Sequence, residues 1–89
     1  LKIQSPNVEI DPVILEDSLA ITSRESEVLL WIAHGKTNQE IADIQEMSPR
    51  TVNKHLEQMY PKIGASNRTS AASVAIQTIL GGQLGQPPL

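Results

Sequence analysis

Apolar positions recur at helical spacing in four stretches of the chain. In the clearest, Val52, Leu56, Met59 and Ile63 share one narrow stripe at about 100° per residue, while Arg50, Asn53, Lys54 and Glu57 point away from it. Ser48 is a good N-cap, and Pro49 suits the first helical position, where a missing N–H does no harm. This pattern predicts a helix over 49–62. One face anchors in a core and the other offers long polar side chains.

The other elements follow from caps and breakers. Thr22-Ser23-Arg24-Glu25 fits a capping box, and the apolar run Val28 to Ala33 behind it predicts a buried helix over 23–34, ended by Gly35 in the left-handed region. Thr37-Asn38-Gln39-Glu40 is a second capping box and opens a short helix over 38–45 with Ile41, Ala42 and Ile44. Glu46-Met47 then leads directly to the Ser48 cap, so two short helices are joined by a tight link, the helix-turn-helix arrangement. Gly64 closes the third helix. Asn67 caps a fourth over 68–80, which Gly81-Gly82 is expected to stop. The expected fold is all-α, tetrahelical and built around a helix-turn-helix, with no strand within 21–80. Residues 1–20 show no sustained period and are broken by Pro6 and Pro12. They read as a linker with a short apolar contact from Val13, Ile14 and Leu15, or as a disordered tail. Residues 81–89 read as a flexible tail. Trp31, inside the apolar run, is expected in the core.

Size and charge narrow the function. The 89 residues allow one small domain. The chain opens on Leu1 rather than Met, which fits a piece of a longer or processed protein. Net charge is −3, at first an argument against nucleic acid. Its distribution changes that reading. Residues 1–27 hold two cations against six carboxylates, a balance of −4, whereas residues 28–68 hold five cations against four carboxylates, a balance of +1. The cations of that second stretch gather around the 49–62 helix. There is no Cys, and His34 and His55 lack a ligand partner at usable spacing, so no metal and no cofactor are expected. No apolar run is long enough for a membrane span. No nucleophile–base pair, carboxylate dyad or Gly-rich phosphate loop appears, so no catalytic residue is assigned and an enzyme is not expected.

Taken in order, Ile21-Thr22-Ser23-Arg24-Glu25, Glu27-Val28-Leu29, Gly35-Lys36-Thr37-Asn38-Gln39-Glu40-Ile41-Ala42, Ser48-Pro49-Arg50-Thr51-Val52-Asn53-Lys54-His55-Leu56, Tyr60, Lys62-Ile63-Gly64 and Asn67-Arg68 resemble the LuxR-type (LuxR/FixJ) C-terminal DNA-binding domain. The resemblance covers about residues 21–76 without a gap. It implies a cytoplasmic bacterial transcription regulator that binds double-stranded DNA. The expected protein is a two-component response regulator, with RNA polymerase as a further partner.

Position then suggests roles. Asn53, Lys54 and Glu57 face outward toward base edges. Asn suits adenine N6/N7, Lys suits guanine O6/N7, and Glu accepts from cytosine N4. Thr37 and Asn38 at one helix start, and Ser48, Arg50 and Thr51 at the next, suit phosphate, although capping alone also accounts for Thr37 and Asn38. His55 is either a half-buried packing residue or a phosphate donor, and Arg68 is a candidate phosphate clamp. The resemblance implies a homodimer through the fourth helix, with Ala71, Val74, Ala75 and Thr78 as the contact and an inverted-repeat operator. A different class remains open: a helix-turn-helix-shaped protein–protein module with weak DNA affinity. A sigma-factor region four ranks below both.

Three residues depart from the family pattern. Gln45 stands where a large aliphatic residue is usual, and a buried unpaired amide costs about 1–3 kcal/mol. Glu46 occupies a turn that often holds Gly, and a left-handed backbone there costs about 1–2 kcal/mol. Pro61 removes an N–H late in the third helix, which should kink or end near Tyr60.

Overall fold

The computed structural model describes the backbone of residues 3–4 and 9–84 and the side chains of residues 11–81. Five helices follow one another: α1 (Val13–Leu19), α2 (Ser23–Ala33), α3 (Asn38–Gln45), α4 (Pro49–Ile63) and α5 (Arg68–Leu84). Two two-residue strands, β1 (Ile3–Gln4) and β2 (Glu9–Ile10), pair antiparallel ahead of them, with Ile3 opposite Ile10. The expected all-helical fold is present, with one helix more than the four expected.

The extra helix is α1, inside the stretch read as a lead-in. Asp11 Oδ1 accepts from the Val13 N–H at 3.0 Å, which starts the turn, and Ala20 in the left-handed region ends it. Of the three apolar residues there, Leu15 is fully buried while Val13 is exposed. Seven residues with one buried side chain are too few for a period to show.

The expected caps do form. Thr22 Oγ1 accepts from the Glu25 N–H at 3.1 Å, and Glu25 accepts from the Thr22 N–H at 2.9 Å. Thr37 and Glu40 repeat the same reciprocal pair. Gly35, at φ 80°, closes α2 with two bonds, Gly35 N–H to the Ile32 carbonyl and Lys36 N–H to the Trp31 carbonyl. Ser48 caps α4 by accepting from the Thr51 N–H.

Two helix ends differ from expectation. α4 runs through Pro61 to Ile63, where Gly64 ends it. Pro61 costs α4 the bond to the Glu57 carbonyl, one turn earlier, and the helix nevertheless continues for two residues beyond it. α5 continues past Gly81 and Gly82 to Leu84 rather than stopping. Glycine in a helix costs about 1 kcal/mol relative to Ala, which weakens a terminal turn without forbidding it. Of the expected tail, residues 85–89 lie outside the described residues.

Leu15, Val28, Leu29, Leu30, Ile41, Val52 and Met59 form the fully buried centre, with Ala71 and Ala75 of α5 closing one side. α2 packs against α1, α4 and α5, and α3 packs against α4. Trp31 is only half-buried against this core, edge-on to His34 at 5.9 Å, and its indole N–H is buried without a partner.

Polar struts supplement the apolar packing. Glu25, 2% exposed, accepts from Lys62 Nζ at 3.0 and 3.1 Å, so the start of α2 is tied to the end of α4. Burial alone would raise the Glu25 carboxyl. The Thr22 N–H and the Lys62 ammonium outweigh that and hold it below its ordinary 4.5. Gln45, 8% exposed, is half satisfied: Oε1 accepts from Arg24 Nη1 at 2.8 Å, while Nε2 is buried without a partner. Glu46 takes the left-handed conformation, at φ 56°.

Two outcomes follow. Glu46→Gly should raise stability by about 0.5–1 kcal/mol in urea unfolding, because relief of the left-handed strain exceeds the added freedom of the unfolded chain, and Glu46→Ala should not. Since the folded Glu25 carboxyl lies below 4.5, its contribution is complete above that pH and drains away as pH falls through the lower folded value. Glu25→Gln should therefore cost about 2 kcal/mol at neutral pH, with the difference from wild type shrinking on acidification below pH about 4.5. Urea midpoints of both proteins between neutral and acid pH would show it. A difference that does not change with pH would remove the ion pair from the account.

Candidate nucleic-acid interface

α4 is presented by its own amphipathicity. Val52, Leu56 and Met59 are locked in the core, which forces the opposite face outward. Arg50, Thr51, Asn53, Lys54 and Glu57 are all exposed and line one shallow concavity there. Three expected base-reading residues, Asn53, Lys54 and Glu57, are thus gathered with two expected phosphate residues, Arg50 and Thr51. Asn53 Nδ2 donates to Glu57 Oε2 at 3.3 Å, one turn along. Among the described residues, Arg50 and Lys54 take part in no salt bridge. Ser48 is exposed beside this face, and its Oγ lies 3.0 Å from the Thr51 Oγ1. His55 is half-buried at the flank of the buried stripe.

The start of α3 is more constrained than its sequence suggested. Thr37 is exposed and its cap is closed on Glu40, whose carboxyl the Thr37 N–H holds below the ordinary value. Asn38 is half-buried, and its Oδ1 accepts from Arg68 Nη1 at 2.6 Å. Arg68 Nη2 also donates to the Lys36 carbonyl. Arg68, expected as a free phosphate clamp, is therefore engaged with the α2–α3 turn.

The expected dimer residues separate. Ala71 and Ala75 are fully buried in the protein's own core, so neither is available to a second copy. Val74 and Thr78 are half-buried, and the Thr78 hydroxyl donates back to the Val74 carbonyl at 2.8 Å. Among the described side chains, the exposed large apolar residues of α5 are Ile76, at 44%, and Leu80, at 50%. Together with Ala33, His34 and Ile79 they line a mostly apolar hollow between α2 and α5. Sequence reasoning missed both. One row of α5, Thr69, Ser73 and Gln77, is polar, but apolar or small residues fill most of the remaining circumference, so the wheel does not show which row faces the core. The i, i+4, i+8 row Ala71, Ala75, Ile79 is the buried one.

Residues 19–75 match the family described as "Bacterial regulatory proteins, luxR family". The chain is similar to the regulatory protein SdiA of Escherichia coli (strain K12), 41% identical over 68 residues that make up 76% of this chain and 28% of that protein. It is similar to the transcriptional activator protein SolR of Ralstonia nicotianae, 44% identical over 64 residues, 72% of this chain and 27% of that one. It is also similar to the transcriptional repressor ThaA of Burkholderia thailandensis, 40% identical over 62 residues, 70% of this chain and 26% of that one. The chain thus spans less than a third of the length of these relatives. No solved structure matches it.

Lys54→Ala and Asn53→Ala should each change the preferred base at one position by about 1–3 kcal/mol, leaving the fold intact because both side chains are exposed. Selection from a random duplex pool by each variant would read this. Unchanged preference in both would place the reading face elsewhere.

Proposed function

The chain belongs to the luxR family of bacterial regulatory proteins, and we propose that it binds double-stranded DNA sequence-specifically, α4 reading the major groove as the output unit of a transcription regulator. One observation carries this reading: the exposed face of α4 gathers two cations that form no salt bridge among the described residues, an amide and a carboxylate, while its other face is fixed by burial. Asn53, Lys54 and Glu57 supply the base contacts. Ser48, Arg50 and Thr51 at the start of α4, with Thr37 and Asn38 at the start of α3, supply phosphate contacts, and His55 stands at the edge of the groove face.

Glu57 opposes the phosphate charge unless it accepts from a cytosine N4. The weak positive balance of residues 28–68 keeps sequence-independent affinity low. Selectivity then depends on the α4 face rather than on bulk charge.

Two copies associate on an inverted-repeat operator through the exposed pair Ile76 and Leu80 of α5, one turn apart, because Val74 and Thr78 lie half-buried on the opposite flank of the helix. A two-fold axis places the two α4 helices about one DNA turn, roughly 34 Å, apart. At the level of the whole regulator, the sequence reading names a two-component response regulator. The relatives quoted are named regulatory protein, activator and repressor. The proposal carried here is therefore the wider one, an output unit whose DNA occupancy a separate sensing unit sets. Contact with RNA polymerase and a cytoplasmic location belong to the same proposal. Among the described residues no helix is long and apolar enough to cross a membrane.

Titration of a selected duplex decides between readings. A dimer that places one cation of each copy, Arg50, on phosphate should lose roughly tenfold in affinity between 50 and 200 mM salt, and should occupy an inverted repeat cooperatively but a single half-site weakly. Failure to retain any duplex from the pool would favour the protein–protein module.

A further inference from the structure

Arg68 is the only charged side chain of α5, and it is directed neither to solvent nor to a carboxylate. Its two terminal nitrogens donate to two different acceptors, Asn38 Oδ1 at 2.6 Å and the Lys36 carbonyl, which lie 30 and 32 residues earlier. Those acceptors flank Thr37, whose own side chain and N–H are closed on Glu40. Three consecutive residues, Lys36 to Asn38, are thus held at once, two by the guanidinium and the middle one by the capping box.

We propose that Arg68 is a positioning residue for DNA binding. It fixes the Lys36–Asn38 turn, and so the direction in which α3 presents its N-terminus, and it acts on DNA through that turn rather than by a phosphate contact of its own. The inference rests on the DNA-binding reading above and offers an alternative to the phosphate clamp that position suggested for this residue. Three observations support it. Arg68 is half-buried. Its planar fork has two edges committed at once, and turning it toward a phosphate would strip both Asn38 Oδ1 and a backbone carbonyl of their donor. α3 packs chiefly on α4, so Arg68 supplies the side-chain tie from α5 to its start, in addition to the local capping box. A lysine at 68 would keep the charge but not the fork, so charge and geometry are separable by substitution.

Salt dependence separates the two roles, because each phosphate contact made by a cation releases counterions and adds about 1 to the slope of log affinity against log salt. The full chain, its Arg68→Ala and Arg68→Lys variants, Asn38→Ala, and Arg68→Ala with Asn38→Ala are titrated against one duplex, the sequence the wild type selects from a random pool. Amide exchange of Thr37, Asn38 and Gln39 is followed without DNA.

The expected result is a loss of about tenfold for both Arg68 variants, with the wild-type slope retained and faster exchange at the three amides. The double variant should lose less than the sum of the singles, since Arg68 acts partly through Asn38. A slope lower by about 1 in Arg68→Ala, with affinity restored by Arg68→Lys, would establish a direct clamp and overturn the proposal. Unchanged affinity in Arg68→Ala would overturn it equally. If Arg68→Ala does not fold, Arg68→Lys and Asn38→Ala carry the same comparison. If the wild type binds no duplex, the DNA-binding reading fails and the exchange arm decides alone: protection lost in Arg68→Lys upholds the turn lock, and protection kept refutes it.

Discussion

A buried carboxylate sets the frame of this protein. Glu25 lies among apolar side chains at 2% exposure, where an unpaired charge would be untenable. It must find donors, and it finds them at two distant points of the chain: the Thr22 N–H that begins α2 and the Lys62 ammonium near the end of α4. One side chain therefore both helps cap the central helix and ties the last turn of α4 to it. Replacing such a pair with well-packed apolar groups is often neutral for stability. What it supplies here is direction: a single acceptor site holds α4 at one inclination to α2, and the exposed face of α4 inherits that inclination.

The same device recurs. Arg24 of α2 donates to Gln45 of α3, and Arg68 of α5 donates to Asn38 and Lys36 around the start of α3. With the Glu25–Lys62 pair, each strut links the scaffold of α2 and α5 to the helix-turn-helix pair of α3 and α4. A small chain has too little apolar area to fix every helix by packing alone. Hydrogen bonds with strict geometry supply orientation that a handful of leucines does not. The compromises gather nearby: Gln45 leaves one amide proton pair unpartnered, and Glu46 holds a backbone conformation that suits glycine. Both lie at the turn between α3 and α4.

The charge pattern follows the same division. The acidic excess sits in the first 27 residues, while Arg50 and Lys54 stand on the open face of α4 without a salt bridge among the described residues. A net charge of −3 therefore does not describe what an approaching duplex meets.

What the sequence determined by itself were the features settled within a few residues. The capping boxes at Thr22 and Thr37, the Ser48-Pro49 start and the glycine ends at Gly35 and Gly64 are hydrogen bonds or dihedral preferences spanning four or five positions, so local spacing reveals them. The stripe of Val52, Leu56 and Met59 was equally legible, because α4 has one apolar face and one polar face. Tertiary structure decided the rest. α1 exists because Leu15 has a core to enter, a fact no seven-residue period records. Apolar or small residues fill most of the circumference of α5, so only packing decided that Ala71 and Ala75 face inward and Ile76 and Leu80 outward. The partners of Arg68 lie 30 and 32 residues away, beyond the reach of any local pattern. Local geometry repeats along a chain and can be read from spacing, whereas the choice among equivalent faces and the meeting of distant polar groups are set only when the core closes.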